Sequence, residues 1–107
     1  MPNIIETNDS KYEEDVEKSN IPVLAYFKSP WCPVCKRLAP VVEKISDEYK
    51  DKVKFVLIDA LNSIKSAEKN SVLAVPSVIM FKDGKEKERA IGYLSENDLK
   101  AFIGRNL

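Results

Sequence analysis

Two cysteines stand two residues apart in the run Trp31-Cys32-Pro33-Val34-Cys35, and the chain has no others. A pair at this spacing can be a structural disulfide, half of a zinc site or a redox-active dithiol. A structural disulfide stabilises a protein mainly by closing a loop. The loop between these cysteines is worth only about 2 kcal/mol, against about 5 kcal/mol for a loop of about a hundred residues. The spacing is therefore poorly suited to a structural cross-link.

Histidine does not occur in the sequence, and this narrows the possible chemistry. A zinc site would need two ligands beyond the two thiolates, and only carboxylates or a second chain could supply them. A Ser-His or Cys-His nucleophile pair and an imidazole general base are both excluded. We therefore predict no metal site and assign the cysteine pair to redox chemistry.

The position of Cys32 at the start of a predicted helix favours this redox interpretation. Apolar residues recur at helical spacing from Cys32 to about Tyr49. The free N–H groups and the dipole at a helix start favour a thiolate there. Pro33 follows in the first helical position, where its missing N–H costs nothing. Cys35 lies one turn into the helix, so we predict that Cys32 is the attacking nucleophile and Cys35 the resolving thiol.

Five strand patterns alternate with helical ones and must position this pair. Nearly continuous apolar runs are typical of strands that are covered on both faces. The last two strands flank Lys82-Asp83-Gly84-Lys85, where Asp-Gly indicates a tight antiparallel hairpin. The predicted strands span residues 3–6, 21–27, 53–58, 77–81 and 88–93.

Four helices are expected between and after these strands. Ser10 and Glu13 fit a capping box at the start of the first, with Tyr12 and Val16 on one face. Pro40 lies inside the second helix, where it should bend the axis. The helices are predicted to begin at Ser10, to span 32–49 and 62–69, and to begin at Ser95 with an apolar face of Leu99, Phe102, Ile103 and Leu107. This order indicates an α/β protein with a mixed sheet and helices on both faces.

Length and charge limit the class of protein further. The chain has 107 residues, so we expect one domain over residues 1–107. Lysine plus arginine and aspartate plus glutamate are 17 each, which favours neither nucleic acid nor a membrane surface as partner. The first twenty residues lack a basic start followed by an apolar run, and no apolar run could span a bilayer. We expect a cytoplasmic protein.

The chain resembles the thioredoxin family over nearly its whole length. Trp31-Cys32-x-x-Cys35-Lys36 matches the active-site run of that family, and Ala39-Pro40 matches its kinked helix. Val75-Pro76-Ser77 matches the family's cis-proline turn. Phe81-Lys82-Asp83-Gly84 matches its hairpin, and Ile91-Gly92 matches the loop beside its active site. These five pieces occur in the right order and at the right spacing.

This resemblance implies a fold and a reaction. The fold is a central mixed sheet of five strands in the order 1-3-2-4-5 with four helices. The reaction is the reduction of protein disulfides by the Cys32/Cys35 dithiol, with an upstream disulfide reductase of the thioredoxin reductase type restoring the dithiol. No cofactor is expected, because the three glycines form no phosphate-binding loop. We also expect a monomer.

The resemblance implies a substrate groove beside the cysteines. Val75 and Pro76 are expected to abut the cysteines through a cis peptide bond, and the Val75 backbone to pair with the bound substrate. Gly92 is expected in the adjacent loop. Trp31 is expected to cover the site and to line the groove, since an aromatic side chain beside a nucleophilic cysteine offers a large apolar contact.

Three positions depart from the family pattern. Pro33-Val34 stands between the cysteines where most thioredoxins have Gly-Pro, and a proline directly after the first cysteine is closer to the glutaredoxin pattern. Tyr26 replaces the family's buried aspartate and Phe55 replaces the lysine partner of that aspartate. Lys28 replaces a tryptophan. We predict that Pro33, Tyr26 and Lys28 tune the site, Tyr26 by a hydroxyl hydrogen bond and Lys28 by its charge. The alternative is that Tyr26 only fills the core and Lys28 is solvated.

Two other functions stay open on the sequence alone. A glutaredoxin-like or partner-specific redox relay is compatible with Pro33-Val34 and with the missing aspartate. A binding module that uses the fold without turnover is also conceivable, although the intact cysteine pair argues against it.

Overall fold

A mixed sheet of five strands forms the centre of the protein. The computed structural model describes residues 3–107, so the first two residues of the expected domain lie outside it. The strands are β1 (Ile4–Thr7), β2 (Val23–Lys28), β3 (Lys54–Asp59), β4 (Ser77–Lys82) and β5 (Lys85–Ile91). Their order across the sheet is β1-β3-β2-β4-β5, which confirms the predicted topology. The pairs β1–β3 and β2–β3 are parallel, and β4 is antiparallel to β2 and to β5.

Four helical segments flank this sheet, as predicted. They are a short π-helical segment (Glu13–Glu17), α1 (Pro33–Tyr49), α2 (Ile64–Lys69) and α3 (Glu96–Gly104). Pro40 lies within α1. Within the described range 3–107, no helix combines the length and the apolarity needed to cross a bilayer.

The core has two halves because side chains of the central strands alternate between the two faces of the sheet. In β2, Leu24 and Tyr26 pack with the apolar faces of α1 and α3. The intervening Val23, Ala25 and Phe27 pack on the opposite face, around the π-helical segment. Burial on both faces accounts for the continuous apolar runs from which the strands were predicted.

Several local predictions need correction. The capping box at Ser10 is wrong, because Asn8 Oδ1 accepts hydrogen bonds from the Ser10 and Lys11 amides and from the Ser10 hydroxyl. Helix α2 begins two residues later than predicted, after Ser63. Leu107 does not belong to the apolar face of α3, since it is exposed beyond the end of the helix.

The strand bounds differ by one to three residues from the predicted ones. Strands β1 and β3 each lie one residue later, and β2 covers Val23–Lys28 instead of 21–27. The predicted hairpin is confirmed, with Asp83 and Gly84 at φ of 54° and 76° in a two-residue turn. Because this turn is so short, β5 begins at Lys85 and not at Glu88, and it ends at Ile91 before Gly92.

Candidate active site

Cys32 and Cys35 lie where α1 begins, at the end of the loop that follows β2. Cys32 is the residue that caps the helix, with extended backbone angles, and the Cys35 amide donates a hydrogen bond to its Sγ at 3.1 Å. Pro33 occupies the first helical position, as predicted. The two Cα atoms are 5.2 Å apart and the two sulfurs form a disulfide. The sequence-predicted pair is therefore brought together at a helix start.

The two sulfurs differ in accessibility. Cys35 is 2% exposed and belongs to the buried side of α1, whereas Cys32 is partly exposed. A substrate sulfur can therefore approach Cys32 but not Cys35. This difference follows from the helix geometry, because the residue at the helix cap lies at the surface and the residue one turn in faces the sheet.

The Val75-Pro76 turn lies against the cysteines. Its peptide bond is cis, as the resemblance implied. The carbonyl oxygen of Val75 is 3.7 Å from Cys32 Sγ. The Gly92 amide donates a hydrogen bond of 2.9 Å to the Pro76 carbonyl, so the loop after β5 is tied to the same turn. Val75 thus lies beside Cys32, and Gly92 is joined to the same turn through Pro76, as the resemblance implied.

Trp31 precedes Cys32 and is 83% exposed, so it lies on the rim of the site and is not packed over the disulfide. The guanidinium of Arg37 lies 5.0 Å from the centre of the Tyr93 ring, which joins α1 to the loop after Gly92. This pair was not predicted. The sequence offered only the adjacency of Arg37 to the cysteine run and of Tyr93 to Gly92, and no local pattern links two such distant positions.

Tyr26 lies directly beneath Cys35. Its hydroxyl donates a 2.7 Å hydrogen bond to the backbone carbonyl of Cys35. Burial raises the pKa of the Tyr26 phenol to about 12, so the hydroxyl stays protonated and remains a donor at neutral pH. The hydroxyl hydrogen bond predicted for Tyr26 is present, and its acceptor is the backbone carbonyl of Cys35.

An apolar cavity of about 330 Å³ lies beside Tyr26 and Cys35. Leu57 is level with Tyr26 in the β2–β3 ladder and lines the cavity. Phe55, the predicted counterpart of the family's lysine, is level with Leu24 and is fully buried. Strand β3 therefore has apolar residues at both positions, Phe55 and Leu57, and provides no charged side chain next to Tyr26.

Lys28 lies at the edge of this cavity, at the end of β2. It is only partly buried, and it is level with Asp59 in the β2–β3 ladder. Lys28 therefore borders both the cavity next to Cys35 and the solvent. Among residues 3–107, no group of three or more cysteine or carboxylate side chains is arranged to hold a metal ion.

Comparison with known proteins places this site in a family. The sequence model for Thioredoxin matches residues 3–105. Thioredoxin C-2 of Corynebacterium nephridii is 38% identical over 104 residues, which cover 97% of this chain and 96% of that protein. The chain belongs to the thioredoxin family. Thioredoxin of Acidithiobacillus ferridurans is 34% identical and thioredoxin of Pseudomonas aeruginosa 32% identical, each over 97% of this chain and 96% of the relative.

Membership in the thioredoxin family agrees with the geometry of the site. The matched region includes the cysteine pair, the Val75-Pro76 turn and the loop at Gly92. The chain is therefore a thiol–disulfide oxidoreductase that reduces protein disulfides with its Cys32/Cys35 dithiol. The glutaredoxin-like relay and the binding module without turnover are not favoured by these relatives.

Proposed function

We propose that Cys32 is the nucleophile of this protein-disulfide reductase and that Cys35 is its resolving thiol. The observation that carries this assignment is the unequal position of the two sulfurs. Cys32 lies accessible at the helix cap, and its Sγ accepts a hydrogen bond of 3.1 Å from the Cys35 amide. Cys35, by contrast, is buried. The N–H and the helix dipole stabilise a thiolate at Cys32.

The reaction proceeds by two thiol–disulfide exchanges. The Cys32 thiolate attacks one sulfur of the substrate disulfide, forms a mixed disulfide and releases the other substrate sulfur as a thiolate that takes up a proton. Cys35 then loses its proton and attacks Cys32 Sγ. This step forms the Cys32–Cys35 disulfide and releases the second substrate thiol. Two electrons and two protons pass to the substrate, and a reductase of the thioredoxin reductase type returns them.

The substrate groove is proposed to lie between Trp31 and the Val75-Pro76 turn, with Gly92 at its edge. The backbone of Val75 is close enough to Cys32 to pair with an extended substrate segment as its disulfide reaches the sulfur. The exposed Trp31 ring offers that segment a large apolar contact next to the reacting sulfur. The hydrogen bond from the Gly92 amide to the Pro76 carbonyl ties the loop at the edge of the groove to the Val75-Pro76 turn.

Three residues are proposed to tune the pair. Pro33 fixes the first turn of α1 and so the spacing of the sulfurs. Tyr26 is a positioning residue, because its hydroxyl holds the Cys35 carbonyl from below. Lys28 contributes a positive charge at the edge of the cavity, which favours the thiolate forms. The protein is further proposed to act as a cytoplasmic monomer of one domain, with no nucleic-acid or membrane partner and no bound cofactor.

Alkylation of the fully reduced protein tests the assignment of the two thiols. Limiting iodoacetamide at neutral pH is expected to modify Cys32 at least about tenfold faster than Cys35, because only Cys32 is both accessible and favoured as a thiolate. Peptide mass mapping at short times gives the two rates. The urea-unfolded protein is the control, in which both cysteines should react at similar rates. Faster labelling of Cys35 in the folded protein would reverse the roles.

The reduction potential of the pair gives a second test. We expect this protein to be a weaker reductant than a thioredoxin with Gly-Pro between its cysteines. The helix start and the cavity-lining Lys28 and Lys36 stabilise the reduced thiolate, and Glu6, the carboxylate that lines the same cavity, is exposed to solvent. Thioredoxins lie near about −270 mV and glutaredoxins near about −200 to −230 mV, so a value between these is predicted. Equilibration with a Gly-Pro thioredoxin measures the difference directly, and an equal or more negative potential would contradict the role of these local charges.

A further inference from the structure

Three segments of the chain, residues 29–37, 73–77 and 91–93, form a continuous rim around Cys32. Trp31 leads into Cys32, which contacts the Val75 carbonyl. The Pro76 carbonyl accepts a hydrogen bond from the Gly92 amide. Tyr93 follows Gly92, and its ring packs under Arg37. Because Arg37 lies in the first turns of α1, this contact closes the rim. Every link between these segments is a direct contact, so a substrate that reaches Cys32 must lie against this rim.

The rim carries large apolar side chains that are exposed to solvent. Its four large exposed side chains are Trp31, Leu73, Ile91 and Tyr93. Leu73 is 97% exposed, although it lies only two residues before Val75. An exposed apolar cluster around a reactive group is typical of a surface that binds other proteins. The apolar cluster surrounds Cys32, so it can contact the apolar residues that flank a disulfide in a partner protein.

The charge of the rim is one-sided, although the whole chain is neutral with 17 cations and 17 anions. The rim segments 29–37, 73–77 and 91–93 contain Lys36 and Arg37 but no aspartate or glutamate. Both side chains are exposed. Six of the other sixteen cations are held in ion pairs, whereas within residues 3–107 Arg37 has no carboxylate within salt-bridge distance.

The environment of Arg37 makes it a suitable partner for a carboxylate. Its guanidinium lies over the Tyr93 ring, and a guanidinium over an aromatic ring keeps N–H donors along its edge. Such an edge binds a carboxylate through two parallel hydrogen bonds. The contact with Tyr93 also restricts a flexible side chain before the substrate arrives, which lowers the entropy lost on binding.

We propose that this rim selects partner proteins whose reducible disulfide is flanked by apolar and acidic side chains, with Arg37 as the residue that recognises the acidic one. This inference rests on the proposed function and specifies its substrate class. The apolar side chains contribute contact area, and the two cations increase the rate of encounter with an acidic segment. Because these charges are exposed, the selectivity is expected to weaken as salt increases.

Matched peptides test the selectivity. Three disulfide-linked peptide dimers serve as substrates, identical except for two glutamates, two glutamines or two lysines beside the cysteine. We expect kcat/KM for the glutamate peptide to exceed that for the lysine peptide by roughly five- to tenfold at about 20 mM salt, and by less than about twofold at about 500 mM. Arg37→Glu is expected to remove or reverse the preference.

Lys50→Glu is the control, because it makes the same charge change at the far end of α1. Thirteen residues of helix separate the two positions by about 20 Å, which is about one Debye length at about 20 mM salt, so the charge at position 50 acts more weakly on the site than the charge at position 37. Comparing the glutamate-to-lysine ratio between variants cancels the intrinsic reactivity of each peptide. A salt-dependent preference lost in Arg37→Glu and kept in Lys50→Glu supports the proposal. Equal rates for the three peptides, or equal effects of both variants, overturn it. Reduction of none of them would overturn the proposed function as well.

Discussion

Replacing Cys32 with serine is expected to abolish the reduction of protein disulfides. In the proposed mechanism the reaction begins with a thiolate at this position, and a serine hydroxyl is not ionised at neutral pH and does not attack a disulfide. We expect turnover to fall by at least about a thousandfold, the order of loss seen when a covalent nucleophile is removed. Insulin reduction coupled to thioredoxin reductase measures it. Residual turnover within about tenfold of the wild type would exclude Cys32 as the nucleophile.

Cys35→Ser is the matched variant, because it removes the other sulfur from the same helical turn. Cys32 can still attack, but nothing displaces it from the substrate, so a mixed disulfide should accumulate. Non-reducing electrophoresis and intact mass should show one substrate chain attached per protein and its release by dithiothreitol. If Cys35→Ser turns over freely and Cys32→Ser accumulates the adduct, the two roles are exchanged.

Replacing Tyr26 with the aspartate that the family has at this position is expected to destabilise the protein strongly. The change removes a buried ring and the hydrogen bond to the Cys35 carbonyl, and it places a carboxyl group next to an apolar strand. We expect the free energy of unfolding to fall by about 3–5 kcal/mol at neutral pH. Urea unfolding of the oxidised protein measures this loss.

The pH dependence separates the buried charge from the lost volume. Burial should raise the pKa of an aspartate at position 26 in the folded protein. A group with a raised pKa favours the folded state fully below its unfolded pKa, and this contribution is lost as the pH rises through the folded pKa. The variant should therefore recover stability relative to the wild type as the pH falls from about 7 to about 4. A stability difference that does not change with pH would show that the carboxylate is not desolvated.

Tyr26→Phe is the control for the hydroxyl alone. It keeps the ring and removes the donor to the Cys35 carbonyl, so the loss should be about 1 kcal/mol. If Tyr26 positions the resolving cysteine, this variant should also release the substrate from the mixed disulfide more slowly than the wild type. An unchanged release rate together with the stability loss would reduce Tyr26 to a structural residue.

The arrangement of the cysteines was predictable because it depends on local sequence. Pro33 in the first helical position and the apolar spacing after it place Cys32 at the cap and Cys35 one turn inside. The strand order was predictable from the resemblance and from the Asp83-Gly84 turn, which permits only a short hairpin. The cysteine arrangement and the strand order therefore depend either on residues close together in the sequence or on a pattern that extends over the whole chain.

The remaining features depend on contacts between distant residues. Asp9 accepts hydrogen bonds from the Lys65 and Ser66 amides, so the cap of α2 comes from a loop more than fifty residues away. The position of Leu57 beside Tyr26 follows from the strand register, which no single strand pattern fixes. The contact of Arg37 with Tyr93 likewise arises only when α1 and the loop after β5 meet.

The Cys32/Cys35 dithiol is expected to pass two electrons to a protein disulfide without any other protein. A single-turnover experiment tests it most directly, with the fully reduced protein mixed with excess insulin and no reductase. Mass mapping should show a loss of 2 Da confined to the peptide that holds both cysteines, with one insulin disulfide reduced for each protein oxidised. Insulin that stays oxidised, or insulin that is reduced while Cys32 and Cys35 remain thiols, would contradict the account.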